Sequence, residues 1–327
     1  MMQHHAHIVS AVFAMHVIAA LQGCTARHVV PPPPRAAAAE AIELPTKFIA
    51  DRIFVLVPVR SGDTLNLYTD TGGGLFVLRS AAARVGWRDT SVISLREIAV
   101  DSQFPVPLGA PAGKVPVLVP PPNRALEFDG MLGQAWFADR VWTFDYAARR
   151  LLLHPEAPTP TPGAHRVSLG FQTDSSGRRA TSFPRIGVVV GGDTLHLLFD
   201  TGATGALPPA AVAALGDSLP PVRATSFITS EVLNRWRERH PEWRVLANAD
   251  ETVRGMRMIE VPAVSIAGFR VGPVWFTERP DPNFHQYMSQ WMDRRVDGAL
   301  GGNALRFFRV TVDYPAAVAH FAPVTGT

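Results

Sequence analysis

Cysteine is almost absent from this 327-residue chain: Cys24 is the only one, so no disulfide can form within it. Lysine is scarce too, because only Lys47 and Lys114 among the 31 basic residues are lysines. No zinc-type cysteine and histidine spacing, Walker loop or dinucleotide glycine fingerprint occurs, so the sequence predicts neither a metal nor an organic cofactor. The net charge of +3 is scattered, which is typical of solvated arginines and does not favour a nucleic-acid partner.

Charged residues are missing from the start of the chain. Residues 1–23 contain no Asp, Glu, Lys or Arg, and residues 8–21 form an apolar stretch too short to cross a bilayer comfortably. The tetrapeptide LQGC at residues 21–24 resembles the bacterial lipoprotein lipobox, which implies a lipid on Cys24. We therefore expect a signal peptide over residues 1–23 and export to the bacterial cell envelope, with a membrane anchor at Cys24. The alternative is a disordered apolar leader.

Two proline-rich segments divide the rest of the chain. Residues 24–44 are rich in proline and alanine and predict an extended tether, while residues 155–164 predict a linker. The predicted lobes are therefore residues 45–154 and 165–327. Short β-branched and aromatic runs between turn residues favour strands in both lobes. The predicted strands cover residues 53–59, 64–69, 115–119, 141–144, 186–190, 195–199, 261–266 and 310–312.

The two lobes carry the same motifs in the same order. Residues 62–73, GDTLNLYTDTGG, match residues 192–203, GDTLHLLFDTGA, at eight of twelve positions, with Asp70 opposite Asp200. DGMLG at 129–133 then matches DGALG at 297–301, and Asp-Tyr at 145–146 matches 313–314. The interval between the first two motifs is 38 residues longer in the second lobe, so we expect an insertion around 220–255. It would include a helix over 231–240, capped by Ser230 and stopped by Pro241.

These motifs resemble those of aspartic peptidases of the pepsin and retropepsin type. The resemblance implies an all-β, bilobal fold of two homologous retropepsin-like β-barrel lobes, with the active site between them. It also implies an aspartic endopeptidase, acting as a monomer on peptide or protein substrates, with Asp70 and Asp200 as the catalytic pair. The loops supporting the pair would be Thr71, Gly72 and Gly73 in one lobe and Thr201, Gly202 and Ala203 in the other. The later hydrophobic-glycine motifs would be Met131, Leu132 and Gly133, and Ala299, Leu300 and Gly301.

The chemistry of such a site explains the paired acids. Two carboxyl groups held close together cannot both ionise easily, so they share one proton and titrate as a pair. The ionised group can take a proton from an attacking water while the protonated group donates to the substrate oxygen. This reaction needs no metal or cofactor.

Alternatives remain for the function and for several residues. Gly73-Gly74 departs from the usual Ser or Ala, so an inactive peptide-binding or scaffolding lipoprotein of the same fold is the second hypothesis. A structural envelope lipoprotein is the third. The segment 87–113 is a candidate flap. The Trp- and Arg-rich segment 236–244 could cover the cleft, contact a partner or touch an anionic membrane surface, but a plain solvated helix that packs Val232, Leu233 and Trp236 inward is favoured. The other repeated acids predict turn and structural roles: Asp63, Asp129, Asp145, Asp193, Asp297 and Asp313.

Overall fold

The computed structural model describes residues 40–108, 113–120 and 126–324. The leader, Cys24 and most of the predicted tether lie outside these ranges. Within them, no helix is both long enough and apolar enough to span a membrane.

Strands dominate the described residues. Those of the first half are β1 (Ile42–Leu44), β2 (Thr46–Ile49), β3 (Arg52–Pro58), β4 (Thr64–Thr69), β5 (Phe76–Leu78), β6 (Val92–Ser94), β7 (Lys114–Leu118), β8 (Gly130–Leu132), β9 (Val141–Asp145) and β10 (Arg150–His154). Those of the second half are β11 (His165–Ser168), β12 (Arg185–Val190), β13 (Asp193–Phe199), β14 (Thr204–Ala206), β15 (Val222–Ala224), β16 (Ser226–Thr229), β17 (Val245–Leu246), β18 (Met258–Val261), β19 (Val264–Ile266), β20 (Phe269–Val271), β21 (Val274–Arg279), β22 (Gly298–Leu300), β23 (Phe308–Asp313) and β24 (Val318–Pro323).

The helices are short. They are α1 (Arg79–Arg84), α2 (Leu95–Ile98), α3 (Gln134–Phe137), α4 (Pro209–Leu215), α5 (Ser230–Arg239) and α6 (Gly302–Leu305), with a π-helix at Asn283–Met288 and a 3₁₀ turn at Ser289–Trp291. Val232, Leu233 and Trp236 of α5 are buried, which confirms the plain-helix interpretation of this segment.

Each half builds its own sheet. The first has seven strands in the order β2-β3-β4-β8-β5-β7-β6, and the second has nine in the order β17-β18-β21-β16-β22-β13-β12-β19-β20. Along β12 the buried positions alternate, with Ile186, Val188 and Val190 facing the core, as the strand period of two requires. These sheets confirm the predicted all-β, two-lobed fold.

The same local topology recurs in both sheets. The β3–β4 hairpin is followed later by β8, which runs parallel to β4, and the β12–β13 hairpin is followed by β22, which runs parallel to β13. In both cases a strand that follows the Asp-Thr-Gly loop, β5 in the first half and β16 after β14 and β15 in the second, pairs antiparallel with the other side of β8 or β22. This arrangement puts the end of β4 and the end of β13 at matching positions.

A third sheet joins the two halves. Its order is β1-β10-β9-β23-β24-β11, so strands from both halves lie side by side. Thr143 of β9 faces Thr311 of β23, and their hydroxyl oxygens lie 2.8 Å apart. These residues are counterparts in the repeat, so a pseudo-two-fold axis passes between them. The strand β1 lies at residues 42–44, inside the range predicted as tether, because Ile42 to Leu44 pair with β10.

The structure also corrects the predicted insertion at 220–255. Strand β5 starts six residues after Asp70, whereas β16 starts 26 residues after Asp200. The segment between Asp200 and β16 contains β14, α4 and β15, so 20 of the 38 extra residues precede residue 226 and the other 18 follow it. Helix α5 follows β16 just as α1 follows β5, and it therefore corresponds to α1. The sequence pattern alone could not show whether the extra chain lies before β16 or around α5.

Two local predictions were wrong. Ser230 does not cap α5: it is the first helical residue, and its hydroxyl donates to the Arg279 carbonyl at 3.4 Å. The cap comes from a distant residue, since the Asp281 carboxylate accepts from the Glu231 N–H at 2.8 Å. The single strand predicted at 261–266 is divided into β18 and β19 at Pro262, which has no N–H to give to a ladder.

Candidate active site

The parallel strand beside each aspartate holds its loop in place. The Asp70 N–H donates to the Leu132 carbonyl at 3.0 Å, and the Asp200 N–H donates to the Leu300 carbonyl at 3.0 Å. Each hydrophobic-glycine motif therefore supplies the backbone acceptor that ends the strand before the aspartate. Leu132, Ala299 and Leu300 are buried, which fixes these strands in the core.

The glycines of these motifs are needed for close approach. A Cβ on Gly133 would overlap the carbonyl oxygens of Gly73 and Gly74, and a Cβ on Gly301 would overlap the Thr225 carbonyl oxygen. Only glycine fits at either position. The sequence-predicted motif residues thus lie where the two loops are supported.

The two aspartates lie close together, and the carboxyl group of each packs against the loop of the other lobe. A Cβ added to Gly72 would lie 2.7 Å from the Asp200 Cγ, and one added to Gly202 would lie 2.5 Å from the Asp70 Oδ1. Each loop glycine therefore lies directly against the carboxyl group of the other lobe. Each also donates within its own loop: the Gly72 N–H to Asp70 Oδ1 at 3.0 Å, and the Gly202 N–H to Asp200 Oδ1 at 2.9 Å.

The two threonines link the loops across the lobe boundary. The Thr71 hydroxyl donates to the Phe199 carbonyl at 2.7 Å and accepts from the Thr201 N–H at 3.0 Å. The Thr201 hydroxyl accepts from the Thr71 N–H at 3.2 Å and donates to the Thr69 carbonyl at 3.5 Å. Both threonines are fully buried, so these bonds are shielded from water and fix the distance between the loops.

Gly73 and Ala203 follow the loops but meet different surroundings. A Cβ on Gly73 would overlap the Asp70 Oδ2 and lie 2.8 Å from the Met131 Sδ. In the second lobe Ala299 stands where Met131 stands in the first, and Ala203 keeps its methyl group in a buried position. The unusual Gly73 is thus a steric requirement of the Asp70 side chain. Gly74 is different, because a Cβ there would meet no atom within 4 Å.

Burial and mutual repulsion perturb both carboxyl groups. Burial raises the pKa of Asp70 well above its usual range, and the neighbouring Asp200 raises it further. Burial also raises the pKa of Asp200, but the hydrogen bond with Asp70 and the N–H groups of Gly202, Ala203 and Gly72 oppose that rise. The environment therefore favours the proton on Asp70 and the charge on Asp200.

An open cavity lies beside Asp200. It has a volume of about 340 Å³, and its walls include Leu198, Phe227 and Phe284, with Arg279 and Tyr287 adding polar groups. A second, largely apolar cavity of about 230 Å³ lies in the first lobe and includes Met131. Within the described ranges no group of three acidic, histidine or cysteine side chains is arranged to hold a metal ion.

The remaining repeated acids have structural partners, as predicted. Asp145 and Asp313 accept the N–H of Ala148 at 3.0 Å and of Ala316 at 2.8 Å, and so stabilise equivalent hairpin turns. Asp129 accepts the Asn66 N–H at 2.8 Å. The others form ion pairs with arginines: Asp63 with Arg84, Asp193 with Arg239, and the partly buried Asp297 with Arg295.

Sequence reasoning missed Tyr68. It lies two residues before Asp70, is almost fully buried, and makes hydrogen bonds with the loop of the other lobe. The signal that could have found it is the mismatch in the repeat, where Leu198 is its counterpart. The predicted flap at 87–113 contains β6 and α2 in its described part, and its role over a cleft stays a prediction.

No family model matches this chain, and no curated protein matches its sequence. Among solved structures, the crystal structure of aspartic proteinase from Irpex lacteus is similar, with a TM-score of 0.47 and 12% sequence identity. That similarity covers 88% of this chain and 98% of the fungal one.

Proposed function

We infer that this chain is an aspartic endopeptidase that hydrolyses peptide bonds with Asp70 and Asp200. The observation that carries this proposal is the crosswise packing of the two loops, in which Gly72 lies against Asp200 and Gly202 lies against Asp70. Two buried carboxyl groups in this arrangement repel each other when both are charged, so the site retains one proton. A site with one acid and one base is what hydrolysis by an activated water requires.

The asymmetry of the site gives each aspartate a role. Asp200, the ionised partner, takes a proton from a water molecule as the water oxygen attacks the peptide carbonyl carbon. Asp70, the protonated partner, donates its proton to the carbonyl oxygen, so a neutral tetrahedral diol forms. When the C–N bond breaks, the proton on Asp200 passes to the leaving nitrogen and a diol proton returns to Asp70. The products are a carboxylic acid and an amine, and the pair regains its starting state.

The cavities favour a substrate with apolar side chains. Leu198, Phe227 and Phe284 form an apolar wall next to Asp200, and burying a large apolar side chain there would stabilise the complex. Met131 belongs to the corresponding cavity in the first lobe. We propose that the two lobes are tandem retropepsin-like units and that a peptide binds between them, with one side chain in each cavity.

The test is cleavage of a mixed peptide library from acidic to neutral pH. We expect cleavage by the wild type and losses of roughly 10²-fold or more in Asp70→Asn and Asp200→Asn, the scale of general acid–base catalysis. Asp139→Asn is the matched control: its carboxylate is exposed, and its positive φ of 55° suits asparagine. Full activity in either active-site variant would overturn the mechanism. Peptide binding without cleavage at any pH would favour the scaffolding alternative.

We also propose that the protein is exported and lipid-anchored in the cell envelope, on the basis of the LQGC motif. Incorporation of labelled fatty acid that persists in Cys24→Ser would contradict this anchor.

A further inference from the structure

We propose that Tyr68 is a positioning residue for Asp200, acting from the opposite lobe by fixing the peptide plane that follows Gly202. The inference rests on the proposed function for its catalytic consequence. Its geometric part concerns only how the Asp200 loop is held. Tyr68 lies on β4, the strand that leads to Asp70, so a single side chain of the first lobe would set the conformation of the second loop.

The Tyr68 ring is held rigidly. It is 4% exposed, and it packs between the rings of Phe54, at a centroid distance of 5.0 Å, and Phe128, at 5.6 Å. Aromatic neighbours on both sides leave the ring little freedom to turn away from its position. The hydroxyl is therefore presented at a fixed point of the lobe boundary, where burial raises its pKa and keeps it protonated.

Three oxygens meet at that point. The Tyr68 hydroxyl lies 3.0 Å from the Gly202 carbonyl oxygen and 2.6 Å from the Thr204 Oγ1, which is itself 3.1 Å from the same carbonyl. The two hydroxyls have two hydrogens for these three contacts. One hydroxyl donates to the carbonyl while the other donates to the first hydroxyl. In either arrangement the Gly202 carbonyl is held by a hydroxyl whose own oxygen accepts a second bond.

Holding this carbonyl also orients an N–H beside Asp200. The Gly202 carbonyl and the Ala203 N–H belong to one planar peptide unit and point in opposite directions. The Ala203 N–H donates to the Asp200 main-chain oxygen at 3.4 Å and so holds the Asp200 loop, and it also lowers the pKa of the Asp200 carboxyl group. Fixing one end of the plane therefore keeps the donor at the other end directed towards Asp200.

This three-oxygen contact supports the Asp200 loop and has no counterpart from Leu198 at the Asp70 loop. The counterpart of Tyr68 in the repeat is Leu198, which has no hydroxyl and instead lines the cavity beside Asp200. Asp70 thus receives no matching support from the second lobe. This difference is consistent with Asp200 as the group that carries the charge.

The experiment compares Tyr68→Phe with Tyr314→Phe. Tyr314 is also fully buried, but its hydroxyl has no hydrogen-bond partner among the described residues, so its loss removes no bond. Tyr146 is less suitable, because its hydroxyl interacts electrostatically with Asp200. Thr204→Val tests the same three-oxygen contact from the other side. The readouts are kcat, KM and their pH profiles, together with ¹³C NMR titration of the carboxyl groups, which does not depend on activity.

For Tyr68→Phe we expect kcat to fall roughly tenfold, the effect of one hydrogen bond, with little change in KM. The acidic limb of the kcat profile should move to higher pH, because Asp200 loses support for its ionised form. The carboxyl titration should move in the same direction, and the double variant with Thr204→Val should move it further.

Two results would distinguish a failure of the proposed peptidase function from a failure of the positioning role of Tyr68. If the wild type cleaves no peptide but Tyr68→Phe still shifts the Asp200 titration upward and Tyr314→Phe does not, then the proposed function is wrong and the positioning role stands. If Tyr68→Phe and Thr204→Val both leave the titration and the pH profile at their wild-type positions, the positioning role is overturned. The titratable and charged groups around Asp200 that could contribute are Asp70, Tyr146 and Arg279.

Discussion

The two aspartate loops have nearly the same backbone but hold their carboxyl groups differently. Asp200 is stabilised in its ionised form by the N–H groups of Gly202, Ala203 and Gly72, whereas for Asp70 only the Gly72 N–H acts in that direction. Beside Asp70 the space at position 73 admits only glycine, because a Cβ there would overlap the Asp70 Oδ2 and lie 2.8 Å from the Met131 Sδ. A repeated motif thus brings two identical acids together, and the residues that break the repeat make one acid different from the other. That difference is what lets a pair divide acid and base roles.

Exchanging Gly73 and Ala203, the residues that follow the two loop glycines, should have the largest and most unequal effects on kcat. In Gly73→Ala the new Cβ would overlap the Asp70 Oδ2, so the carboxyl group must move. A displacement of about 1 Å at a reacting group can cost on the order of 10²-fold in rate, and we expect kcat to fall by that amount. The reciprocal Ala203→Gly removes a methyl group without moving Asp200, so its kcat should change less than about threefold.

A further variant, Met131→Ala, tests whether contact with the Met131 side chain contributes to the loss of kcat in Gly73→Ala. Met131→Ala gives the first lobe the residue that Ala299 supplies in the second. Combined with Gly73→Ala it should recover part of the lost kcat, because the Sδ contact at 2.8 Å disappears. Equal losses in Gly73→Ala and Ala203→Gly would show that the two loops are equivalent after all.

The two loop threonines, Thr71 and Thr201, should also differ in how much each contributes to the free energy of unfolding, and this difference is the smallest effect expected. Thr71→Val leaves the Phe199 carbonyl and the Thr201 N–H without their bonds of 2.7 and 3.0 Å, and each buried unsatisfied group costs about 1–3 kcal/mol. Thr201→Val removes longer bonds, of 3.2 and 3.5 Å. We expect losses in the free energy of unfolding of about 2 kcal/mol or more for Thr71→Val and about 1 kcal/mol for Thr201→Val. Urea denaturation measures both, and a reversed order would contradict the geometry.

Much of this molecule could be predicted from local patterns. The strand 64–69 has the bounds expected, and the two Asp-Thr-Gly loops meet, because motifs repeated in register impose the same local topology twice. The later glycine motifs were also identifiable, since close backbone approach leaves glycine as the only option at Gly133 and Gly301.

What could not be predicted depends on contacts far apart in the chain. Tyr68 reaches Thr204 across 136 positions, and Asp281 caps a helix that begins 51 residues earlier. No local pattern specifies such partners. The sheet shared by β9 and β23 was missed for the same reason: the sequence showed two lobes, but strand pairing between them leaves no periodic signal. The steric need for glycine at position 73 could not be predicted either, because the positions of the Asp70 carboxyl group and of Met131 are properties of the folded site.

Site-resolved ¹³C NMR titration of the Asp70 and Asp200 carboxyl groups in the wild type tests most directly whether the two groups share one proton. We predict two separated apparent pKa values, with the upper one well above the value of about 3.9 for an ordinary aspartate. Because the folded state binds this proton more tightly than the unfolded chain, the free energy of unfolding should also fall as pH rises from the unfolded pKa to the folded pKa. If both carboxyl groups instead titrate together at about 3.9, they do not share a proton, and the proposed acid and base roles of Asp70 and Asp200 are contradicted.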